Sequence, residues 1–162
     1  MTDAATETQT DIAPEADGEF DNFFNDPKFL AKYPGLKLPP SSFIVSGAQI
    51  LAFKAGHFIE LAFPVRQNQT NPIGTLQGGV LASFFDDAFG TLCFASVLKP
   101  CVSIDLTVNF CRPARPGETV KINAQFKSKS RKLLQLYAEA RNEKDKLLAT
   151  ATSNLQVYEE WQ

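Results

Sequence analysis

The chain has a single histidine, His57, and only three cysteines, Cys93, Cys101 and Cys111, none of them in a CxxC pair. A Ser-His-Asp or Cys-His triad would have to use His57, which sits in the turn-like stretch KAGH, and no GxSxG motif accompanies it. One histidine and scattered cysteines give no ligand spacing for a metal. An odd number of thiols without a framework reads as reduced, buried side chains of a cytoplasmic protein. Neither GxxxxGKS nor GxGxxG is present, so no nucleotide or other cofactor is implied. Charge of one sign is lacking too: sixteen basic against eighteen acidic side chains leave −2, which offers no general footprint for nucleic acid. No apolar run approaches the ~18 residues needed to span a bilayer. The opening MTDAATETQTDIAPEADGEF is acidic and has no apolar centre, so it does not read as a secretory signal.

What is present is aromatic. Fourteen phenylalanines in 162 residues supply the interior of one domain large enough to need no staples. Residues 1–18, rich in Thr, Ala, Asp and Glu, read as a disordered acidic tail, and residues 19–162 as one domain with a helical N-terminal extension. That extension carries Phe20, Phe23, Phe24, Phe29 and Leu30, the pattern of one or two short helical turns, followed by the Pro-rich connector PGLKLPPSS.

AQILAFKAGHFIELAFPV reads as two strands with Gly56 in the turn between them. A long helix is expected from Leu76 or Gly78 to about Val97. Four further segments with period-two alternation follow, the first running through Val102, Ile104, Leu106, Val108 and Phe110. Short breaks at RPARPGE, KSKSRK and NEKDK predict an antiparallel meander. One helix followed by consecutive hairpins is an α+β pattern. The helix is apolar on more than one side, which favours a sheet wrapped around it.

Two features of that helix demand explanation. Asp86 and Asp87 interrupt its apolar run, and Gly78-Gly79 opens it. A buried carboxylate costs several kcal/mol unless it is hydrogen-bonded or stays wet, so Asp86 is either an acid satisfied by its neighbours or a functional group. Gly78 and Gly79 place free N–H groups at the positive end of a helix dipole, where an oxyanion or polarised carbonyl is stabilised; a tight turn needing small residues is the plainer reading. Eight residues of helix put Gly78 about 12 Å from Asp86. One reacting carbon cannot touch both. If the two cooperate, the second helix comes from another copy of the chain, in a two-fold dimer with two equivalent sites.

Asn71, the GTLQGG run from Gly74 to Gly79, Asp86 and VSIDLTVNFCRPARPGE from Val102 to Glu118 together resemble the hotdog-fold acyl-CoA thioesterases, most of all the phenylacetate-degradation (PaaI-type) branch. The resemblance runs from about Gln49 to Tyr158. It implies an α+β hotdog fold, an antiparallel sheet around one long helix, and an acyl-CoA or aryl-CoA substrate hydrolysed to the free acid and coenzyme A. It implies a homodimer with shared sites, pairing further into a tetramer. By resemblance, Asp86 is the nucleophile or general base, the Gly78 N–H polarises the thioester carbonyl, and Asn71 helps place substrate or water. Gln77, Gly79, Ser103 and Arg131 match substrate-binding positions.

The chain departs from the family at Gln77, where His is usual, and at Ser130, where Gly usually precedes the basic residue. Gln still donates and accepts hydrogen bonds. A non-catalytic acyl-CoA-binding or regulatory hotdog domain is the alternative this leaves. A hotdog hydratase is disfavoured because it would need an Asp/His pair. The basic residues Lys127, Lys129, Arg131 and Lys132 read first as a solvated hairpin, and secondly, with Arg112 or Arg115, as contacts for coenzyme A phosphates.

Overall fold

The structure is a computed structural model and describes residues 27–159. The expected acidic tail and Phe20, Phe23 and Phe24 lie outside those residues. Two short helices, α1 (Pro27–Lys32) and α2 (Ser41–Ser46), precede the hairpin β1 (Gln49–Lys54) and β2 (Phe58–Pro64). A 3₁₀ turn at Gln67–Gln69 leads to the long helix α3 (Gly78–Val97). Strands β3 (Cys101–Phe110), β4 (Thr119–Lys129), β5 (Leu133–Arg141) and β6 (Leu147–Val157) follow. Helix α2 was not expected: the six residues SSFIVS follow two prolines and are too few to show a period, and Gly47 ends the helix at φ 73°.

The six strands form one antiparallel sheet in the order β1-β2-β4-β5-β6-β3. This corrects the expected meander, because β3 pairs with β6 and β4 pairs with β2. The RPARPGE stretch is a crossing, not a hairpin turn. Cys111 and Arg112 N–H both donate to Leu148 O (2.8 and 2.9 Å) beside β6. The chain then passes the start of α3, where Leu76 N–H donates to Ala114 O at 2.8 Å, and reaches β2, where Val65 N–H donates to Glu118 O at 2.9 Å. A loop holding Pro113 and Pro116 does not make the two-residue turn that would keep β3 beside β4.

The alternation read along β3 is also corrected. The β3–β6 register shifts between Ser103 and Asp105, a bulge that breaks the two-residue period. Leu106 and Val108 pack on the core, while Val102 and Ile104 are exposed. The bulge is held on the neighbouring strand: Asn154 N–H and Nδ2 donate to the two Asp105 carboxylate oxygens (3.0 and 2.6 Å), and Ser153 Oγ donates to Asp105 O at 2.6 Å.

Helix α3 packs against one side of the sheet and touches β2 to β6. Phe84, Phe85, Phe89 and Leu92 are fully buried, and the Phe63 and Phe84 rings stack with centroids 4.3 Å apart. Each such side chain contributes roughly 1.5–3 kcal/mol by leaving water. The sheet covers one side only. Gly79, Ser83 and Asp86 are exposed and Ala82 is half-buried, so the helix keeps an open face. The premise that the acids sit in buried helix therefore fails for Asp86, which the described chain leaves exposed.

Two smaller readings also change. Helix α3, with 20 residues, is long and apolar enough by composition to cross a membrane, yet 44 % of its most apolar 18-residue stretch is packed inside the fold. Of the three thiols, Cys93 is buried, Cys101 is half-buried and Cys111 is exposed.

Candidate active site

Ser103 and Asp86 come from different elements and meet on the open face of α3. Ser103 Oγ donates a 2.6 Å hydrogen bond to Asp86 Oδ1. The β3 bulge begins at Ser103, so the strand breaks its pleat just where this hydroxyl reaches the helix. Ala82, Ser83, Asp86, Ser103 and Leu106 line an open groove of about 380 Å³. The carboxylate keeps Oδ2 free of protein donors among the described residues and is accessible from solvent, so it can attack a carbonyl carbon or take a proton from water.

Asp87 points elsewhere. It accepts a 3.1 Å bond from Ser42 Oγ and so ties α2 to α3. Burial, with a smaller contribution from the nearby Asp86 charge, pushes its carboxyl above the usual carboxylate range despite the Ser42 bond. Helical geometry turns adjacent residues about 100° apart, which separates the two acids' tasks.

A second cluster forms at the start of α3. Gln77 caps the helix, its Oε1 accepting from Val80 N–H at 2.9 Å. That bond satisfies one donor of the first turn and leaves the Gly78 and Gly79 N–H groups, which have no intrahelical acceptor. Gly79 lies so close to its own cap that a Cβ there would meet Gln77 Oε1 at 2.9 Å. The Asn71 side chain organises the preceding loop: Oδ1 accepts from Ile73 and Thr75 N–H (both 3.1 Å), and Nδ2 donates to Thr75 Oγ1 at 2.8 Å. One Nδ2 hydrogen remains available. Gly74 turns this loop at φ 77°. Asn71, Thr75, Gly78, Leu81 and Phe110 line a cavity of about 340 Å³, so the loop amide and the helix-start donor share one space.

One chain therefore holds two separate polar clusters, a carboxylate half and a donor half. The carboxylate half has Asp86 and Ser103; the donor half has Gly78 and Asn71. Two helical turns, about 12 Å, separate them along α3. Arg131 joins neither. Its side chain is 79 % exposed at the β4–β5 turn and reaches Glu159 Oε1 at 3.9 Å. The neighbouring bases are engaged locally, Lys127 over the Tyr137 ring and Lys129 donating to Gly56 O at 2.6 Å. His57 is exposed in the β1–β2 turn. Sequence reading missed the Asp105–Asn154 pairing that holds the bulge, since nothing local marks which strand lies beside β3.

Residues 73–149 match the family model described as the thioesterase superfamily. Human acyl-coenzyme A thioesterase 13 is 36 % identical over 62 residues, which is 37 % of this chain and 44 % of that protein. The match thus spans less than half the length of the curated relatives. A phenylacetic acid degradation-related protein of Ralstonia eutropha superposes with a TM-score of 0.71 at 26 % identity, covering 86 % of this chain and 99 % of its own. The E. coli PaaI protein from the phenylacetic acid degradation operon gives a TM-score of 0.70 at 22 % identity, over 74 % of this chain and 86 % of its own.

Proposed function

We propose that the chain, whose residues 73–149 match the thioesterase superfamily model and whose fold is the hotdog, is a member of that superfamily and hydrolyses an acyl-CoA or aryl-CoA thioester to the free acid and coenzyme A. The observation that carries this reading is the exposed Asp86 carboxylate oriented by Ser103 at 2.6 Å. The carboxylate faces an open groove on a hydroxyl donor.

The working unit in this reading is a two-fold dimer. Strand β3 is an edge ten residues long, and Val102, Ile104 and Phe110 on it are 45 %, 58 % and 58 % exposed. A long apolar edge is normally covered by another strand. Beside it, the small residues Gly79, Ala82 and Ser83 let a second helix approach. Antiparallel helices bring each Asp86 to the partner's donor half, composed of Gly78 and Asn71. The thioester carbonyl oxygen then lies on the Gly78 N–H, and Asp86 attacks the carbonyl carbon or activates a water. The thiolate of coenzyme A leaves, and water completes the acid product. Pairing of dimers into tetramers and a cytoplasmic location belong to the same proposal.

Coenzyme A release across aryl, short, medium and long acyl-CoAs tests it. Turnover of at least one class is the expected result. Saturable binding with no release on any of them would make the chain an acyl-CoA binder instead.

A further inference from the structure

We propose that residues 20–26 of this chain dock on the cavity between α3, the start of β3 and residues 33–40, and that two of Phe20, Phe23 and Phe24 seat there as an intrachain cover. The docking is independent of any catalytic activity of the chain.

The cavity has a volume of about 350 Å³, and Tyr33, Leu36, Leu38, Gly90, Phe94 and Cys101 line it. Leu36, Leu38 and Phe94 are only half-buried. Val102 on its wall is 45 % exposed, and so, at 47 %, is Leu98, whose carbonyl accepts from Tyr33 Oη–H at 3.4 Å. Apolar surface gathered in one place and left in water is a cost that a cover removes.

The chain enters the described fold at this place. Tyr33 is buried on the cavity wall, and α1 before it has six residues, a length of about 9 Å. Phe24 stands three residues ahead of Pro27, at most ~10 Å further along the chain. The stretch EFDNFFND therefore reaches back over the cavity without a long linker.

Its pattern suits the place. Phe20, Phe23 and Phe24 have the i, i+3, i+4 spacing that one helical turn gathers on a single side. A dry cavity of ~150 Å³ holds a benzene ring, so about 350 Å³ takes two phenylalanine rings. The flanking Glu19, Asp21 and Asp26 are acids with no base among them. Two bases stand at the cavity: Lys37 lines it, and Lys32 lies over the Tyr33 ring at 5.2 Å. Opposite charges thus meet at the rim while the rings enter apolar space.

Gly90 supports the assignment independently. Glycine is disfavoured inside a helix, yet a Cβ at Gly90 would meet nothing within 4 Å among the described residues. Packing among those residues does not call for glycine there. An aromatic ring laid close on the helix backbone does.

The test uses the full chain with p-benzoylphenylalanine in place of Phe23, isotopically light and heavy chains being co-refolded, irradiated and mapped by mass spectrometry. Crosslinks are expected to peptides that hold Leu36, Phe94 or Cys101, within chains of one label. Crosslinks to other surfaces would overturn the proposal. So would crosslinks between light and heavy chains, which would assign the cavity to a partner copy's segment. A second measurement replaces the rings together, as Phe20→Ser, Phe23→Ser and Phe24→Ser. Tm should fall by roughly 5–10 °C, the loss expected for two buried rings. Alkylation of the half-buried Cys101 by N-ethylmaleimide should quicken ~10-fold as its cover is lost, while the exposed Cys111 keeps its rate. If the triple variant does not fold, Phe23→Ser alone is read in the same way. Unchanged Tm and unchanged Cys101 reactivity in a folded variant would overturn the proposal.

Discussion

The Ser103 hydroxyl and the Asp86 carboxylate are 2.6 Å apart although 17 residues separate them in the chain. Helix α3 supplies the acid and the bulged edge strand β3 supplies its donor, so the pair exists only once the strand crosses to the far side of β6. Its chemical consequences can be measured.

Asp86→Asn keeps the shape and the Ser103 bond but removes charge and basicity. Turnover is expected to fall at least ~10²-fold, the low end for a lost acid/base group. Because Asp86 is exposed in the chain, unfolding free energy should stay within about 0.5 kcal/mol of wild type. Coenzyme A release and denaturant unfolding check the two halves. Wild-type turnover by this variant would sink the mechanism.

In the proposed mechanism Ser103 acts through Asp86, as a positioning residue. Ser103→Ala should lower kcat by ~10-fold with KM little changed, since the bond orients the acid without touching the leaving group. Ser103→Thr keeps the hydroxyl and should recover most of the loss. A variant that loses stability and not kcat would point to a purely structural bond.

Much of this architecture was legible in the sequence. Helix α3 and the Gly56 hairpin declare themselves because their periods are local and strong. The place of β3 does not, because its partner β6 is chosen by a loop with Pro113 and Pro116 that crosses the helix start. The bulge at Ser103 has no composition signal either; its support comes from Asp105 and Asn154 across strands. Asp86 and Gly78 stood out from the helix pattern itself, Asn71, Gln77, Ser103 and Arg131 came from resemblance, and the structure sorts them by position. Asp86 joins Ser103, Gly78 joins Asn71, Gln77 is spent on capping, and Arg131 stays apart at a turn.

Asp87 offers a pH test of the packing between α2 and α3. Its folded-state carboxyl is raised above the ordinary value of 3.8, mainly by burial. Between that value and the raised one, the folded state holds more protons than the unfolded state. Stability therefore falls as pH rises through this window, and the charged acid burdens the fold above it. Asp87→Asn retains an oxygen for Ser42 and removes the charge. Its melting temperature should exceed wild type at pH 7, and the gap should close as pH drops below 3.8. An equal gap at both ends would show that the charge is not the cause. Turnover should remain near wild type, because Asp87 faces Ser42 and not the groove.

The shared-site dimer makes a prediction that no single-chain mechanism can reproduce. Gly78→Pro removes the proposed oxyanion donor at the first position of α3, where proline is well tolerated. Gln77 already has the extended backbone (φ −68°, ψ 133°) that a following proline requires. The new ring would press on Phe110, whose Cζ lies 3.1 Å from the Cβ position, but that side chain is 58 % exposed and can give way. Homodimers of Gly78→Pro and of Asp86→Asn should each be ~10²-fold impaired, because every site lacks one group. When the two variants are co-refolded in equal amounts, about half the dimers are mixed. In each of these one site combines both defects and the other combines the intact Gly78 with the intact Asp86. Recovery of about a quarter of wild-type activity is the expected result. A site contained within one chain would recover nothing, since each chain carries its own defect. Absence of recovery despite mixed dimers confirmed by mass spectrometry would place Gly78 and Asp86 in separate roles.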